Sequence, residues 1–409
     1  MQTNTCTNLL DSLLDDFKDH PFNPHPSSFW ANFLKAGSRL WLDTGDIAGI
    51  SHQWTSEFTA LTTNNSLLNQ EIQKGIYDKS IEKAGSFFKT LTPHQQIREV
   101  SLLLNMLHGL RLVRIFGGMV SVELHTDLAH DVKGIEYFGE RLFRVAPKHF
   151  LIKVPFTPSG LIGARRLKEK GVNVNLTLQF SLRQNTFSAI VAKPKFTNVF
   201  LGRLGAYLKN NQLGKPDYIG EKVTIETQKS LRCYNKKGLT TSKLIAASIR
   251  NWEQLKWLSG TNVLTIPLKV AAEARQNIKA IPSSHYNELP PITLEKTVSP
   301  QQLGINKLWQ VASHELDTAI AFNNKLPKTG EELEKYANDH GCRDLFPLLS
   351  QEDMITISNE GKIPIHNHWK EKISSGEMAI DTLLNLGGLT AFAKDQKAVD
   401  IRIKDILGI

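Results

Sequence analysis

Cysteine is scarce: Cys6, Cys233 and Cys342 are the three in 409 residues. An odd, widely spaced set argues against a disulfide framework and for a reducing compartment. Long hydrophobic runs are missing too, so the sequence offers no candidate membrane span. The first residues, MQTNTCTNLLDSLLDDFKDH, are acidic and amphipathic and lack the basic and apolar segments of a signal peptide. Together these absences predict a cytoplasmic protein with no membrane partner. No G-x-G-x-x-G or P-loop occurs, which removes the main support for a dinucleotide or nucleotide-triphosphate enzyme. His366 and His368 stand two apart with no further ligand cluster nearby, so no metal is expected. The net charge of +9 suits an anionic ligand. Without a basic run or an aromatic-basic module, it does not suit nucleic acid.

What is present is a soluble, globular composition, 41% hydrophobic and 22% charged. Leu9, Leu10, Leu13, Leu14 and Phe17 have helix spacing, which predicts a helical segment over 8–35 interrupted by Pro21, Pro24 and Pro26. From about 38 to 270, short apolar segments alternate with amphipathic helices. Strands are predicted at 38–43, 58–64, 118–124, 149–155, 173–180, 195–200, 243–249 and 262–267. Eight strands separated by helices imply an α/β fold, a (β/α)8 TIM barrel. Thr157 and Pro158 mark the start of the helix after the fourth strand. The expected organisation is an N-terminal helical segment (1–36), the barrel (37–280), and a C-terminal linker and helical extension (281–409). Helices of that extension are predicted at 303–322, 328–340 and 377–393.

Barrel strands are usually apolar on both faces. Here several carry polar residues at alternate positions, which period-two geometry puts on one face. In NVNLTLQFS, Asn175, Thr177 and Gln179 oppose Val174, Leu176 and Leu178. In GMVSVELHTD, Ser121 and Glu123 oppose Val120 and Val122. Asp43 ends the first strand, and Thr62 and Asn64 close the second. Asn198 and Phe200 share a face of the sixth, and Ser248 and Arg250 follow the seventh. Lys153 sits late in the apolar stretch FLIKVPFTPSG. The polar set gathers at C-terminal strand ends, where barrel active sites are built.

Such a set supports imine chemistry. A lysine in an apolar, partly cationic site can lose its proton and attack a ketone. The protonated imine then draws electrons from an adjacent carbon–carbon bond, while a carboxylate moves protons. Glu123 and Asp43 are candidates, with Thr177 able to hold a water. Arg203 and Arg250, with Ser248, can clamp a phosphate.

The segments LWLDTGDI, TTNNSL, GGMVSVEL, IKVPFTPSGL, NVNLTLQFS, NVFLGR and ASIRN resemble, in order, those of the transaldolase family. The resemblance covers about residues 38–270 and implies a class I aldolase-type barrel that needs no cofactor. It implies Lys153 as the Schiff-base lysine and Glu123 as the acid/base working through a water held by Thr177. Asp43 would assist proton transfer. Asn64, Ser121, Asn175 and Asn198 would bind the sugar, Phe200 would wall the pocket, and Arg203, Ser248 and Arg250 would hold phosphate. Glutamate and phenylalanine at 123 and 200 are the transaldolase pair; the related fructose-6-phosphate aldolases typically have glutamine and tyrosine. The expected reaction is therefore transfer of a dihydroxyacetone unit between phosphorylated sugars in the pentose phosphate pathway, with a homodimer as a possible assembly. The alternatives are an aldolase releasing free dihydroxyacetone and a non-catalytic sugar-phosphate-binding barrel. Three positions depart from the family pattern: Asn65 replaces the usual proline, Asn198 a common serine, and Phe156 a common small residue.

Overall fold

The computed structural model describes residues 2–280 and 283–409, with side chains from Asn8 onward among the N-terminal residues. Cys6's side chain, and Ile281 and Pro282 of the expected linker, lie outside the described residues. Eight strands form the barrel: β1 (Arg39–Asp43), β2 (Phe58–Thr62), β3 (Met119–Glu123), β4 (Phe150–Pro155), β5 (Val174–Thr177), β6 (Phe196–Phe200), β7 (Lys243–Ala247) and β8 (Val263–Ile266). They are parallel, ordered as in the sequence, and closed by pairing of β1 with β8. The predicted (β/α)8 barrel is the observed fold. Apart from Arg39 and Thr59, which are exposed, the strand residues are buried or half-buried, so the faces turned to the helices stay mostly apolar where the inward faces carry polar groups. Trp41 of β1 and Phe196 of β6 meet edge-to-face at 4.8 Å and fill the interior two residues below Asp43 and Asn198.

Local signals fix the helices that follow the strands. Thr157 Oγ1 accepts from the Gly160 N–H at 2.8 Å and Pro158 occupies the first position, as expected. The 24-residue helix Pro93–Phe116 starts on a Thr92–Gln95 capping box and stops at Gly117, φ +70°.

Elements flanking the barrel differ from expectation. The N-terminal segment is two helices, Gln2–Asp15 and Ser28–Lys35. Pro21, Pro24 and Pro26 supply no N–H and keep the chain between them extended. The predicted helix 303–322 is divided. Pro300–Leu303 ends at Gly304, φ +62°, a 3₁₀ turn follows over Ile305–Leu308, and the main helix is Ser313–Asn324. The helix placed at 377–393 is Ile380–Leu407, 28 residues long. This C-terminal helix lies across the mouth of the barrel. Asn385 Nδ2 donates to the carbonyls of Phe156 (3.1 Å) and Leu178 (2.7 Å), just past the ends of β4 and β5. Further along, Gln396 donates to Ser101 at 3.0 Å and Arg402 pairs with Asp78 at 2.7 Å. Among the described residues, no helix is long and apolar enough to cross a membrane.

Candidate active site

The register of the strands assembles the site. Glu123 lies opposite Lys153, and Lys153 opposite Asn175, across three consecutive strands. Pro155 lies opposite Thr177 and Asp43 opposite Thr62. These positions share the inward face by the period-two rule. Lys153 is 4% exposed, and its ammonium donates to the Thr63 carbonyl at 3.0 Å. A buried lysine held by a single carbonyl keeps two donor positions for other partners.

Two carboxylates share the electrostatic field of Lys153. Burial raises the Glu123 carboxyl above its ordinary range, against the opposing pull of Lys153, the Asn65 N–H and Arg203. Burial likewise raises Asp43, opposed by Lys153, the Thr62 hydroxyl and Arg250. Asp43 keeps part of its surface open to the mouth, although protein surrounds it closely. Thr62 Oγ1 donates to Asp43 Oδ1 at 2.7 Å, and the same oxygen is 2.6 Å from Thr265 Oγ1. A hydroxyl has one proton, so Thr265 must be the donor to Thr62.

A polar row lies beside the lysine. Asn198 Nδ2 donates to Asn175 Oδ1 at 3.3 Å, and Asn175 Nδ2 donates to Ser121 Oγ at 3.1 Å. Asn198 Oδ1 and Thr177 Oγ1 are buried with no protein partner. Unpaired buried oxygens of this kind are uncommon and point to a bound water or ligand. Asn64 is placed at the mouth, but its Oδ1 caps the helix Asn65–Gln73 by accepting from Leu67 N at 2.9 Å. Only its amide nitrogen remains for another role.

The cationic end of the site follows β6 and β7. The helix Leu201–Asn210 begins directly after β6 and carries Arg203 in its first turn. Arg203 is 5% exposed, its Nη1 has no partner, and it forms no ion pair among the described residues. Its guanidinium lies 5.5, 5.7 and 5.9 Å from the ring centres of Phe200, Phe392 and Phe180. Burial, and secondarily Arg250, lower its pKa to about 10. Arg250 is exposed and Ser248 adopts a left-handed backbone, φ +63°. Gly202 permits their approach. A Cβ there would lie 2.2 Å from the Ser248 carbonyl oxygen and 2.5 Å from Arg250 Cγ. A buried cation without a direct ion-pair partner, next to a helix N-terminus, is chemically suited to a phosphate.

The structure thus brings together Lys153, Glu123, Asp43, Thr177, Ser121, Asn175 and Asn198 in the barrel, with Phe200, Arg203, Ser248 and Arg250 at one side of its mouth. Several contributors were not anticipated: Thr265, the Thr63 carbonyl, the Asn65 N–H, and Gly388 and Phe392 of the C-terminal helix. Thr265 follows the period-two rule in VLTI and was legible in principle; the main-chain groups carry no sequence signal. Gln179 leaves the polar face, because β5 ends at Thr177 and Leu178 turns left-handed, φ +63°. Gln179 is instead fully buried against Gln184, Ser188 and Thr197. Phe156 stacks on Phe346 at 5.8 Å and so docks the C-terminal extension onto β4. His366 accepts from or donates to Tyr207 at 2.9 Å and His368 meets Glu360 at 2.5 Å. Among the described residues, no group could hold a metal ion.

The sequence profile described as transaldolase/fructose-6-phosphate aldolase matches residues 40–333. A probable transaldolase of Dictyostelium discoideum is 28% identical over 322 residues, covering 75% of this chain and 94% of its own length. A transaldolase of Protochlamydia amoebophila is 28% identical over 243 residues, 57% of this chain and 73% of its own. One of Saccharomyces cerevisiae is 27% identical over 265 residues, 62% and 78% respectively. On the closed eight-stranded barrel and the extent of that match, the chain belongs to the transaldolase/fructose-6-phosphate aldolase family.

Proposed function

We propose that this protein is a transaldolase that moves a dihydroxyacetone unit from a ketose phosphate to an aldose phosphate through an imine on Lys153. The observation that carries the reading is the placement of the buried Lys153 between Glu123 and Asn175 in the strand register. The lysine amine adds to the C2 ketone, and loss of water gives the imine. The protonated imine accepts the electron pair of the C3–C4 bond as Asp43 takes the C4 hydroxyl proton, releasing an aldehyde. The resulting enamine then attacks the acceptor aldehyde, the proton returns, and water hydrolyses the new imine. Glu123 moves the protons of imine formation and hydrolysis through a water held by the Thr177 hydroxyl. The imine itself is the electron sink, so the chemistry calls for neither metal nor organic cofactor.

Arg203, Arg250 and Ser248 would receive the phosphate, with Phe200 as a wall. Ser121, Asn175 and Asn198 would bind the hydroxyls at the other end of the donor, with the Asn64 amide nearby. The reaction fits the non-oxidative pentose phosphate pathway of the cytoplasm. The test is incubation with fructose 6-phosphate, with and without erythrose 4-phosphate, following glyceraldehyde 3-phosphate. Formation only with acceptor is the expected result. Equal formation without acceptor would replace transfer by simple aldol cleavage. Absence of a borohydride-trapped adduct on Lys153 would remove the imine.

A further inference from the structure

Asn65 is the first residue of the helix Asn65–Gln73, immediately behind its N-cap Asn64. First-turn N–H groups have no acceptor within their own helix. The Asn65 N–H donates instead to Glu123 Oε2 at 3.2 Å. Both residues are buried, 1% and 4% exposed. Among the described residues this is the one hydrogen bond to the Glu123 carboxylate, so Oε2 is tethered and Oε1 is left to exchange protons. The Asn65 side chain is poorly engaged by comparison. Its Oδ1 is buried without a partner, and Nδ2 reaches the Leu124 carbonyl only at 3.5 Å. The main chain therefore makes the contact that matters to the carboxylate. Proline, the residue that the family resemblance leads one to expect at this position, could make no such bond.

We propose that Asn65 is a positioning residue for Glu123, acting through its backbone N–H to fix one carboxylate oxygen and stabilise the ionised form. This rests on the reading of Glu123 as the acid/base of the reaction. A hydrogen bond given to the charged form favours it, so removing the bond must raise the proton affinity of the carboxyl.

Asn65→Pro deletes the donor with little other disturbance. Proline suits the first position of a helix, and Asn64, φ −157° and ψ 172°, already has the extended backbone that a residue before proline requires. Asn65→Ala keeps the N–H and deletes only the side chain. Infrared difference spectra of each protein against its Glu123→Gln counterpart follow the titration of this carboxyl. The Asn65→Pro midpoint is expected about one pH unit above wild type, since two or three such bonds lower a carboxyl by about two units. Asn65→Ala is expected to leave it unmoved. The acid limb of kcat/KM for transfer should shift with the midpoint in the proline variant alone. Equal shifts in both variants, or in neither, would overturn the proposal. In the wild type, the Asn65 amide proton resonance should titrate with the same midpoint; an unresponsive amide would also overturn it, whether or not the proline variant folds. If the infrared shift appears but the wild type transfers nothing to any acceptor, the contact holds and the catalytic reading of Glu123 fails.

Discussion

Thr177 carries a buried hydroxyl that makes no hydrogen bond to the protein, which is costly unless the group has work to do. Thr177→Val should therefore leave the melting temperature unchanged or raised while lowering kcat on the order of 10²-fold; a variant with wild-type turnover would remove the hydroxyl from the mechanism. Lys153→Ala should abolish both transfer and borohydride trapping, with the fold retained by circular dichroism. Glu221 presents the opposite case. It is 3% exposed, its Oε2 has no partner, and burial foremost pushes its carboxyl up to about 7. A carboxyl raised in the folded state contributes stability that is complete below its unfolded pKa and is lost as pH climbs through the folded value. Folding stability should thus fall between about pH 4.5 and 7 by roughly 3 kcal/mol from this group alone. Glu221→Gln should flatten that slope, melting higher than wild type at pH 8 and equally at pH 4.5. The residues of the barrel interior were legible because each sits on a strand whose alternation gives away its face. Asn64 was only half legible: the pattern placed it at the mouth but could not show that its oxygen is committed to a helix cap.

The C-terminal helix Ile380–Leu407 shows what an element adds that no strand pattern discloses. Its Gly388 lies against the cationic end of the site, where a Cβ would sit 2.8 Å from Arg203 Nη1 and 2.9 Å from Leu178 Cδ2. Four residues on, Phe392 covers the same guanidinium. Gly388→Ala gains helix propensity worth about 1 kcal/mol and so should not unfold the protein. It should instead displace Arg203. The expected consequence is a KM several-fold higher for fructose 6-phosphate and unchanged for fructose, which has the same C3–C4 bond but no phosphate. A uniform rise for both donors would mean that the helix acts on the whole mouth and not on the arginine. The eight strands announced themselves through short apolar runs bounded by turns. This helix did so only in part: the pattern placed it at 377–393 and missed its second half, because it is buried on several sides and lacks a clean apolar stripe, and because Gly387 and Gly388 weaken its local signal. Gly408, φ +65°, ends it, while tertiary contacts hold it over the mouth, such as Asn385 satisfying two carbonyls at the ends of β4 and β5.

At the scale of the whole molecule, one buried arginine joins the barrel to the extension. Arg183, in the short helix Leu182–Phe187 after β5, is fully buried. It donates to both oxygens of Asp381 at 2.8 Å, to Asp344 at 3.0 Å and to Glu315 at 2.9 Å. Those acids come from three separate segments, up to 198 residues away in sequence, which is why nothing in the local pattern marks them. Lys307 adds a second cation on Asp344 at 2.7 Å. Breaking a buried cluster by removing one partner strands the others, at a cost of about 3–5 kcal/mol. Arg183→Met should therefore release the extension, exposing it to limited proteolysis. It should also disturb the site through the loss of Phe392 and Asn385 from the mouth. The same cluster sets an acid limit. Burial alone would raise Asp344, but Arg183 and Lys307 outweigh it and hold the carboxyl below its ordinary range. A depressed carboxyl gives stability that is present above its unfolded pKa and is lost as pH falls through the folded value. Proteolysis across a pH series should therefore find the extension protected at pH 5 and above and increasingly cleaved below about pH 4, before the barrel itself unfolds. Cleavage of barrel and extension at one common midpoint would show instead that the two unfold as a single cooperative unit.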